Sequence, residues 1–321
     1  MKPYIFITRK IPETTMDELQ KIAVVTMWED EFKPVPRKRL LEEAAKATGL
    51  LTLLSDKIDE ELMDQSPNLQ VVANLAVGYD NIDVPYATKK GITICNTPDV
   101  LTDTTADLTF ALLMATARRI TEAAQYIKEG KWTGWAPLLL AGTDIHHKTL
   151  GIVGMGRIGE AVAKRAAGFN MNILYHNRSR KEEVERKLNL SYRSFEDVLK
   201  TSDYVVCLVP LTNETKDMFD ENAFQTMKES AIFLNASRGG VVVEKALDKA
   251  LTKGWIRGAG LDVFREEPIQ ADHFLLKHAN LVALPHIGSA TLETRMQMAR
   301  LACKNIENVL QGLIPPAPVN G

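Results

Sequence analysis

Gly151-Ile152-Val153-Gly154-Met155-Gly156-Arg157-Ile158-Gly159 decides the fold of this chain. An apolar run, Thr149–Val153, leads into Gly154-x-Gly156-x-x-Gly159, and a helical pattern follows over Glu160–Gly168. Strand, glycine turn and helix in that order form the dinucleotide fingerprint. The first glycine makes the tight turn, the second lets backbone approach a pyrophosphate, and the third packs helix on strand. The helix N-terminus adds N–H donors and a partial positive charge for phosphate. A second strand is due next, and Met171–Tyr175 supplies it. Gly154, Met155, Gly156, Arg157, Ile158 and Gly159 are therefore the first candidate cofactor contacts.

The second strand runs on into His176-Asn177-Arg178-Ser179-Arg180. A carboxylate belongs near this point when the ribose carries a free 2′-hydroxyl. None is there. Instead Arg178 and Arg180 flank Ser179, and guanidinium donors suit a 2′-phosphate by charge and geometry. NADPH is the expected cofactor, with Asn177, Arg178 and Ser179 near the phosphate and NADH as the second choice. The competing reading is a loop of solvated arginines.

Three strand ends further on carry chemistry. Asn235-Ala236-Ser237-Arg238-Gly239 follows the run Ala231–Asn235, Asp262-Val263-Phe264-x-x-Glu267-Pro268 follows Gly258–Leu261, and Leu284-Pro285-His286-Ile287-Gly288-Ser289 follows Leu281–Leu284. Open α/β sheets bind ligands at the carboxyl ends of their strands. Arg238, Glu267 and His286 together offer an anion clamp, a carboxylate and a proton donor that the carboxylate tunes.

The rest of the chain fits around this sheet. Tyr4–Thr8, Gly49–Leu54 and Leu69–Ala76 read as earlier strands, with charged amphipathic stretches such as Pro36–Ala47 between them. A long helix is expected over 102–129, stopped by Gly130, and an irregular segment over 132–147. Apolar positions Leu292, Met296, Ala299, Cys303, Ile306 and Leu310 mark one buried stripe on a final helix. That helix has no strands of its own to cover, so it should return to the N-terminal domain. The expected fold class is α/β: two Rossmann-like domains with parallel sheets, a discontinuous domain of residues 1–99 and 286–321, and an inserted dinucleotide-binding domain of residues 100–285. A cleft between the two is the expected ligand site.

Composition narrows the function. The 321 residues carry 39 Lys+Arg against 41 Asp+Glu, a net charge of −2 that leaves no footprint for nucleic acid. No apolar run reaches the roughly 18 residues of a membrane span. Cys95, Cys207 and Cys303 stand far apart in apolar settings and read as buried small hydrophobes, not as metal ligands or disulfides. A reducing compartment, hence the cytoplasm, is expected.

With these segments in view, the chain resembles the D-isomer-specific 2-hydroxyacid dehydrogenases, and among them the glyoxylate/hydroxypyruvate reductases. The resemblance spans essentially the whole chain. It also rests on Ala76-Val77-Gly78-Tyr79-Asp80-Asn81-Ile82-Asp83 and Asn96-Thr97-Pro98. It implies Arg238, Glu267 and His286 as the catalytic set, and backbone contacts to substrate near Leu54, Val77 and Gly78, with Ser289 beside them. It further implies Asp262 at the nicotinamide carboxamide and Thr109 at the phosphate side of the cofactor. Val209, Pro210, Thr215, Ala236, Ser237 and Gly288 complete the cofactor contacts it implies, together with Arg238 and His286. In the reductase subgroup an aromatic side chain from the neighbouring subunit closes the substrate site. Trp135 matches it, which implies a homodimer; the alternative is a loop tryptophan packed on its own domain.

The expected reaction is NADPH-dependent reduction of a small 2-oxo acid to the D-2-hydroxy acid. Arg238 would hold the carboxylate, His286 would protonate the carbonyl oxygen, and Glu267 would orient the imidazole and raise its pKa. Domain closure would exclude water. Two alternatives stay open at this level: a 2-ketogluconate reductase of the same family, and a nucleotide-sensing, corepressor-like binding protein.

Overall fold

Runs of β-branched and apolar residues pair into two sheets, and all the strand pairings within them are parallel. The structure, a computed structural model, describes residues 2–320. It divides into a unit that runs up to Leu101 and resumes at Ala290, and an inserted unit, Thr102–Ser289.

The first unit holds β1 (Tyr4–Ile7), β2 (Val24–Met27), β3 (Gly49–Thr52), β4 (Val71–Asn74) and β5 (Thr93–Cys95) in the order β2-β1-β3-β4-β5. Central β3 and β4 are buried along their whole length, as a parallel strand covered on both faces must be. The final helix, Leu292–Leu310, is capped by the Thr291 hydroxyl, which accepts from Thr294 N. Its Ala299, Ala302, Cys303 and Ile306 pack with Ile5, Ile7, Leu51 and Val71. The buried stripe differs from expectation at its start: Leu292 is 75% exposed, and Thr294 and Met298 face inward instead. Asn305, fully buried, ties the helix to its surroundings by donating to Asn96 O and accepting from Ala317 N.

The inserted unit holds β6 (Thr149–Val153), β7 (Asn172–His176), β8 (Ser191–Tyr192), β9 (Tyr204–Cys207), β10 (Ile232–Asn235), β11 (Gly258–Leu261) and β12 (Leu281–Ala283). Their order is β12-β11-β10-β9-β6-β7-β8. The helix Thr102–Ala117 packs Phe110, Leu112 and Leu113 into the core with Ile152, Ile232 and Leu234. The expected single helix over 102–129 breaks at Arg119, which is left-handed at φ 52°, and a second helix runs Ile120–Lys128. No glycine or proline marks that break. Arg119 stabilises it by donating from Nε and Nη2 to Glu122.

The strands that the sequence pattern missed, β2, β5 and β8, all lie at sheet edges. Short edge strands need no continuous apolar run, so they leave little signal. The domain boundary also moves. Residues 286–289 were expected in the discontinuous domain but belong to the inserted unit, as residues 100 and 101 belong to the other. Asp262 accounts for the first shift: its carbonyl accepts from His286 N at 2.9 Å, and its carboxylate accepts from Ile287 N and Gly288 N at 2.8 Å each.

Candidate active site

Because the sheet of the inserted unit is parallel, β6, β7, β9, β10, β11 and β12 all end on one edge, and the residues that follow them gather there. The chain begins this sheet at β6 and builds outward on both sides, β7 on one and β9 on the other. That is a topological switch point, where open α/β sheets bind ligands.

Arg238 follows β10, Glu267 follows β11 and His286 follows β12, so three adjacent strands deliver three functional groups. His286 Nδ1 lies 2.7 Å from Glu267 Oε2. The side chains are 30% and 35% exposed, half-covered yet open to a ligand. Glu267 Oε1 accepts from Phe264 N at 2.8 Å, so both carboxylate oxygens are engaged. Burial works to raise the Glu267 carboxyl, but the hydrogen bond and charge of His286, the Phe264 N–H and the Arg238 charge outweigh it. The carboxyl is held below the ordinary glutamate value. Asn235 Nδ2 donates to Arg238 O, and Arg238 Nη1 donates to Ser237 O, which fixes the arginine loop. Gly239 is buried against the backbone of Phe264; a Cβ there would fall 1.8 Å from Phe264 C. This close approach locks the Arg238 loop onto the Glu267 loop.

Asp262 is almost fully buried, and burial pushes its carboxyl above the ordinary aspartate value, against the opposing pull of Ile287 N–H, the His286 charge and Gly288 N–H. Its hydrogen bonds hold the His286 loop, where His286 itself is left-handed at φ 54°. Sequence reasoning placed Asp262 at the cofactor and missed this second task.

The glycine turn fits a dinucleotide. Gly154 has φ +107°, and a Cβ on it would meet Leu208 C at 2.6 Å; on Gly159 it would meet Gly154 O at 2.4 Å. Above Gly156 nothing lies within 4 Å, and Gly156 caps the helix Arg157–Ala167 without a side-chain hydrogen bond. Backbone donors and open space meet there, as a pyrophosphate requires. The Met155 side chain is fully buried, so that residue can offer only backbone. Val209 and Pro210 follow β9, and the Thr215 hydroxyl donates to Pro210 O, folding that loop back on itself. Ala236 N donates to Cys207 O, and Ser237 donates its N–H and hydroxyl to Asn235 Oδ1.

After β7, Asn177 Nδ2 donates to Ser179 O, and Arg178 is exposed with no hydrogen bond or ion pair among the described residues. Its charge helps to lower the Glu214 carboxyl, after the larger effects of the Thr212 hydroxyl and a backbone N–H. Arg180 departs from expectation. Its Nε and Nη2 donate to Glu185 at 2.9 and 2.8 Å, and this pairing helps hold the glutamate down at about 2. Arg180 is therefore engaged by the helix Glu182–Leu188 and is not offered to a phosphate. Thr109 is a second correction: it is fully buried within its helix, with its hydroxyl donated to Thr105 O, so it presents nothing to a cofactor.

The remaining expected residues lie elsewhere. Gly288 is buried and Ser289 half-buried just after His286. Trp135 stands 82% exposed in the irregular segment, not packed on its own unit. Leu54, Val77 and Gly78 follow β3 and β4 in the first unit. Among the described residues no group of His, Cys, Asp and Glu is arranged to hold a metal, and no helix is long and apolar enough to cross a membrane.

Residues 110–288 match the family model of the D-isomer specific 2-hydroxyacid dehydrogenase, NAD binding domain. A glyoxylate reductase of Pyrococcus horikoshii is 51% identical over all of this chain and 96% of its own length. A solved structure from Thermus thermophilus superposes with TM-score 0.92 at 42% identity, covering 98% of this chain and 99% of that one. The NADPH-dependent glyoxylate/hydroxypyruvate reductase of Sinorhizobium meliloti, solved with NADP and malonate, gives TM-score 0.87 at 32% identity over 99% and 97% of the two chains.

Proposed function

This chain belongs to the D-isomer-specific 2-hydroxyacid dehydrogenases, NAD(P)-dependent oxidoreductases, and on that premise we propose that it reduces glyoxylate or hydroxypyruvate to the D-2-hydroxy acid with NADPH preferred. The observation that carries this reading is the 2.7 Å contact of His286 Nδ1 with Glu267 Oε2, set beside Arg238 on the carboxyl edge of the sheet.

Gly154, Gly156 and Gly159 would hold the pyrophosphate, and Asn177, Arg178 and Ser179 the substituted ribose. When bound, the nicotinamide supplies the hydride that the substrate carbon receives. Everything else falls to side chains. Glu267 stays ionised, so it accepts, and Nδ1 of His286 must then carry the hydrogen of their bond. Nε2 is left facing the reaction, and in the imidazolium it is the atom that passes a proton to the carbonyl oxygen. Arg238 pairs its planar guanidinium with the substrate carboxylate and places positive charge where the oxygen becomes negative. In the reverse direction the neutral Nε2 takes that proton back.

Preference for NADPH is supported by the missing acid after β7 and by Arg178, whose guanidinium has no hydrogen bond or ion pair to give up among the described residues. A homodimer is supported by large apolar side chains left exposed within one short stretch of chain, Ile127 at 60%, Trp132 at 59%, Trp135 at 82% and Leu138 at 83%, which a second copy would cover. The three cysteines are free and buried, which fits a cytoplasmic protein.

Steady-state rates with NADPH and NADH against glyoxylate, hydroxypyruvate, pyruvate and 2-ketogluconate test the reading. A higher kcat/KM for 2-ketogluconate than for glyoxylate would transfer the substrate assignment. Turnover of no 2-oxo acid would end it.

A further inference from the structure

In the first unit, the loop after β4 sorts its backbone polar groups by kind. After β4, every carbonyl from Ala76 to Tyr79 accepts a hydrogen bond. Ala76 O accepts from Thr97 N at 2.9 Å, Val77 O from Asn96 Nδ2 at 2.8 Å, Gly78 O from Asn74 Nδ2 at 2.8 Å and Tyr79 O from Ile82 N at 3.0 Å. The N–H groups of Val77, Gly78 and Tyr79 have no acceptor among the described residues. The loop after β3 is held at its two ends. Leu53 O accepts from Asp56 N at 3.0 Å and Asn81 Nδ2 at 3.1 Å, and Asp56 O accepts from Asn81 Nδ2 at 2.8 Å. The N–H groups of Leu54 and Ser55 again have no acceptor among the described residues. Leu54, Val77 and Gly78 are half-buried, where an unmet N–H is costly unless a ligand or water takes it. After β4, carbonyls held back and donors left open describe a backbone anion site, and the open N–H groups of Leu54 and Ser55 are donors of the same kind.

One side chain joins the two loops. Asn81 Nδ2 serves the Leu53 and Asp56 carbonyls at the two ends of the 53–56 loop, while its Oδ1 accepts from Asn74 Nδ2 at 3.1 Å. Carbonyl oxygens can only accept, so they fix which end of the Asn81 amide is nitrogen. Asn74 is fully buried, receives the Thr52 hydroxyl at 3.1 Å and holds Gly78 O. The relay Thr52–Asn74–Asn81 therefore runs from one loop to the other. Asp56 closes its own loop by accepting from Leu53 N, and the buried Arg9 adds positive charge there by donating to Ser55 Oγ at 2.9 Å.

We propose that Asn81, backed by Asn74, is a positioning residue that clamps the carbonyls of both loops so that the N–H groups of Leu54, Val77 and Gly78 form a cradle for the substrate carboxylate. The identity of that carboxylate, a 2-oxo acid, rests on the function proposed above; the clamp rests on the hydrogen bonds. Asn81 touches no substrate in this account. It acts through the two loops.

The test is calorimetric titration of the NADPH-loaded protein with oxamate, an unreactive carboxylate of glyoxylate-like shape, for wild type, Asn81→Ala and the milder Asn81→Ser. Losing the aligned donors should weaken oxamate by about 10- to 100-fold in Asn81→Ala and raise KM for glyoxylate alike, with Asn81→Ser between. NADPH affinity and kcat at saturating glyoxylate should stay within about twofold of wild type. A merely structural asparagine would lower the thermal midpoint without moving oxamate affinity or KM, and that result overturns the proposal. Wild type that binds oxamate in an Asn81-dependent way yet reduces no 2-oxo acid would leave the cradle standing and remove the proposed function. Normal turnover with unchanged oxamate binding in both variants would do the reverse.

Discussion

Arg178→Ala should raise KM for NADPH by about 10- to 100-fold and leave KM for NADH nearly unchanged. The magnitude follows from what Arg178 does in the protein, which is very little. It is exposed, with no hydrogen bond or ion pair among the described residues, so its removal breaks nothing inside the fold. Its worth is then the charge-assisted bond it would give to a 2′-phosphate, about 1.5–3 kcal/mol, at about 1.4 kcal/mol per factor of ten. Arg180, two residues on, serves as the internal control. Its Nε and Nη2 are engaged by Glu185 at 2.9 and 2.8 Å and its charge is paired, so Arg180→Ala should change KM for NADPH by no more than about twofold. The assay is initial rate against cofactor concentration at saturating glyoxylate, for wild type and both variants, with each cofactor. Equal effects of the two substitutions would refute the distinction between them. A wild type that uses NADH as efficiently as NADPH would refute the phosphate site altogether and leave Arg178 a surface charge.

His286→Ala should lower kcat by about 10²–10⁴, with NADPH affinity from fluorescence titration little changed; a variant retaining more than about half the activity would remove His286 from the chemistry. Asp59 tests the electrostatics of the first unit. Burial tends to raise its carboxyl, but Lys57, Arg37 and the Leu62 N–H together bring it from 3.8 down to about 2. A carboxyl lowered on folding stabilises fully above its unfolded value and loses that contribution as pH falls through the folded one. Asp59→Asn should thus cost about 1 kcal/mol in urea unfolding at pH 7, after allowance for solvent screening, and the gap to wild type should close between about pH 4 and pH 2. A gap independent of pH would mean that the loss is one of helix capping, since Asp59 also accepts from Leu62 N. Trp135→Ala should weaken the dimer in sedimentation velocity, and a fully active wild-type monomer would defeat both the dimer and the role of this residue at its interface.

What the sequence made legible was what strand alternation and strand ends encode. The glycine turn, the central strands and the positions of Arg238, Glu267 and His286 follow from local patterns, because a parallel sheet turns every strand end into the same edge. The misses are of another kind. β2, β5 and β8 are short edges, and the break at Arg119 is made by an ion pair with Glu122 where no glycine or proline stands. Arg180 read as a phosphate donor because its partner, Glu185, lies on the following helix and reaches back only once that helix has formed. Thr109 came in with the family resemblance, which does not express the packing that buries it here. The amides of Asn74 and Asn81 stood in plain view, but the division of labour between carbonyls and N–H groups is a property of folded loops.

The loop after β11 shows why the proposed proton donor can be held so closely. Two of its carboxylates bond the histidine segment, and the protein drives them in opposite directions: burial pushes Asp262 up, while His286, Phe264 N–H and Arg238 together hold Glu267 down despite burial. Asp262 takes the backbone of the histidine loop through three hydrogen bonds, and Glu267 takes the ring through one. His286 sits at φ 54°, a conformation that costs a residue other than glycine about 1–3 kcal/mol and persists only where surroundings over-determine it. Three hydrogen bonds to one buried aspartate offset that cost. Backbone and imidazole are thereby fixed independently, leaving Nε2 a single direction in which to face. A proton donor gains most from such restriction, because misplacement by about 1 Å can cost about a hundredfold in rate. The strain at His286 is therefore best read as the means by which the sheet edge aims its acid.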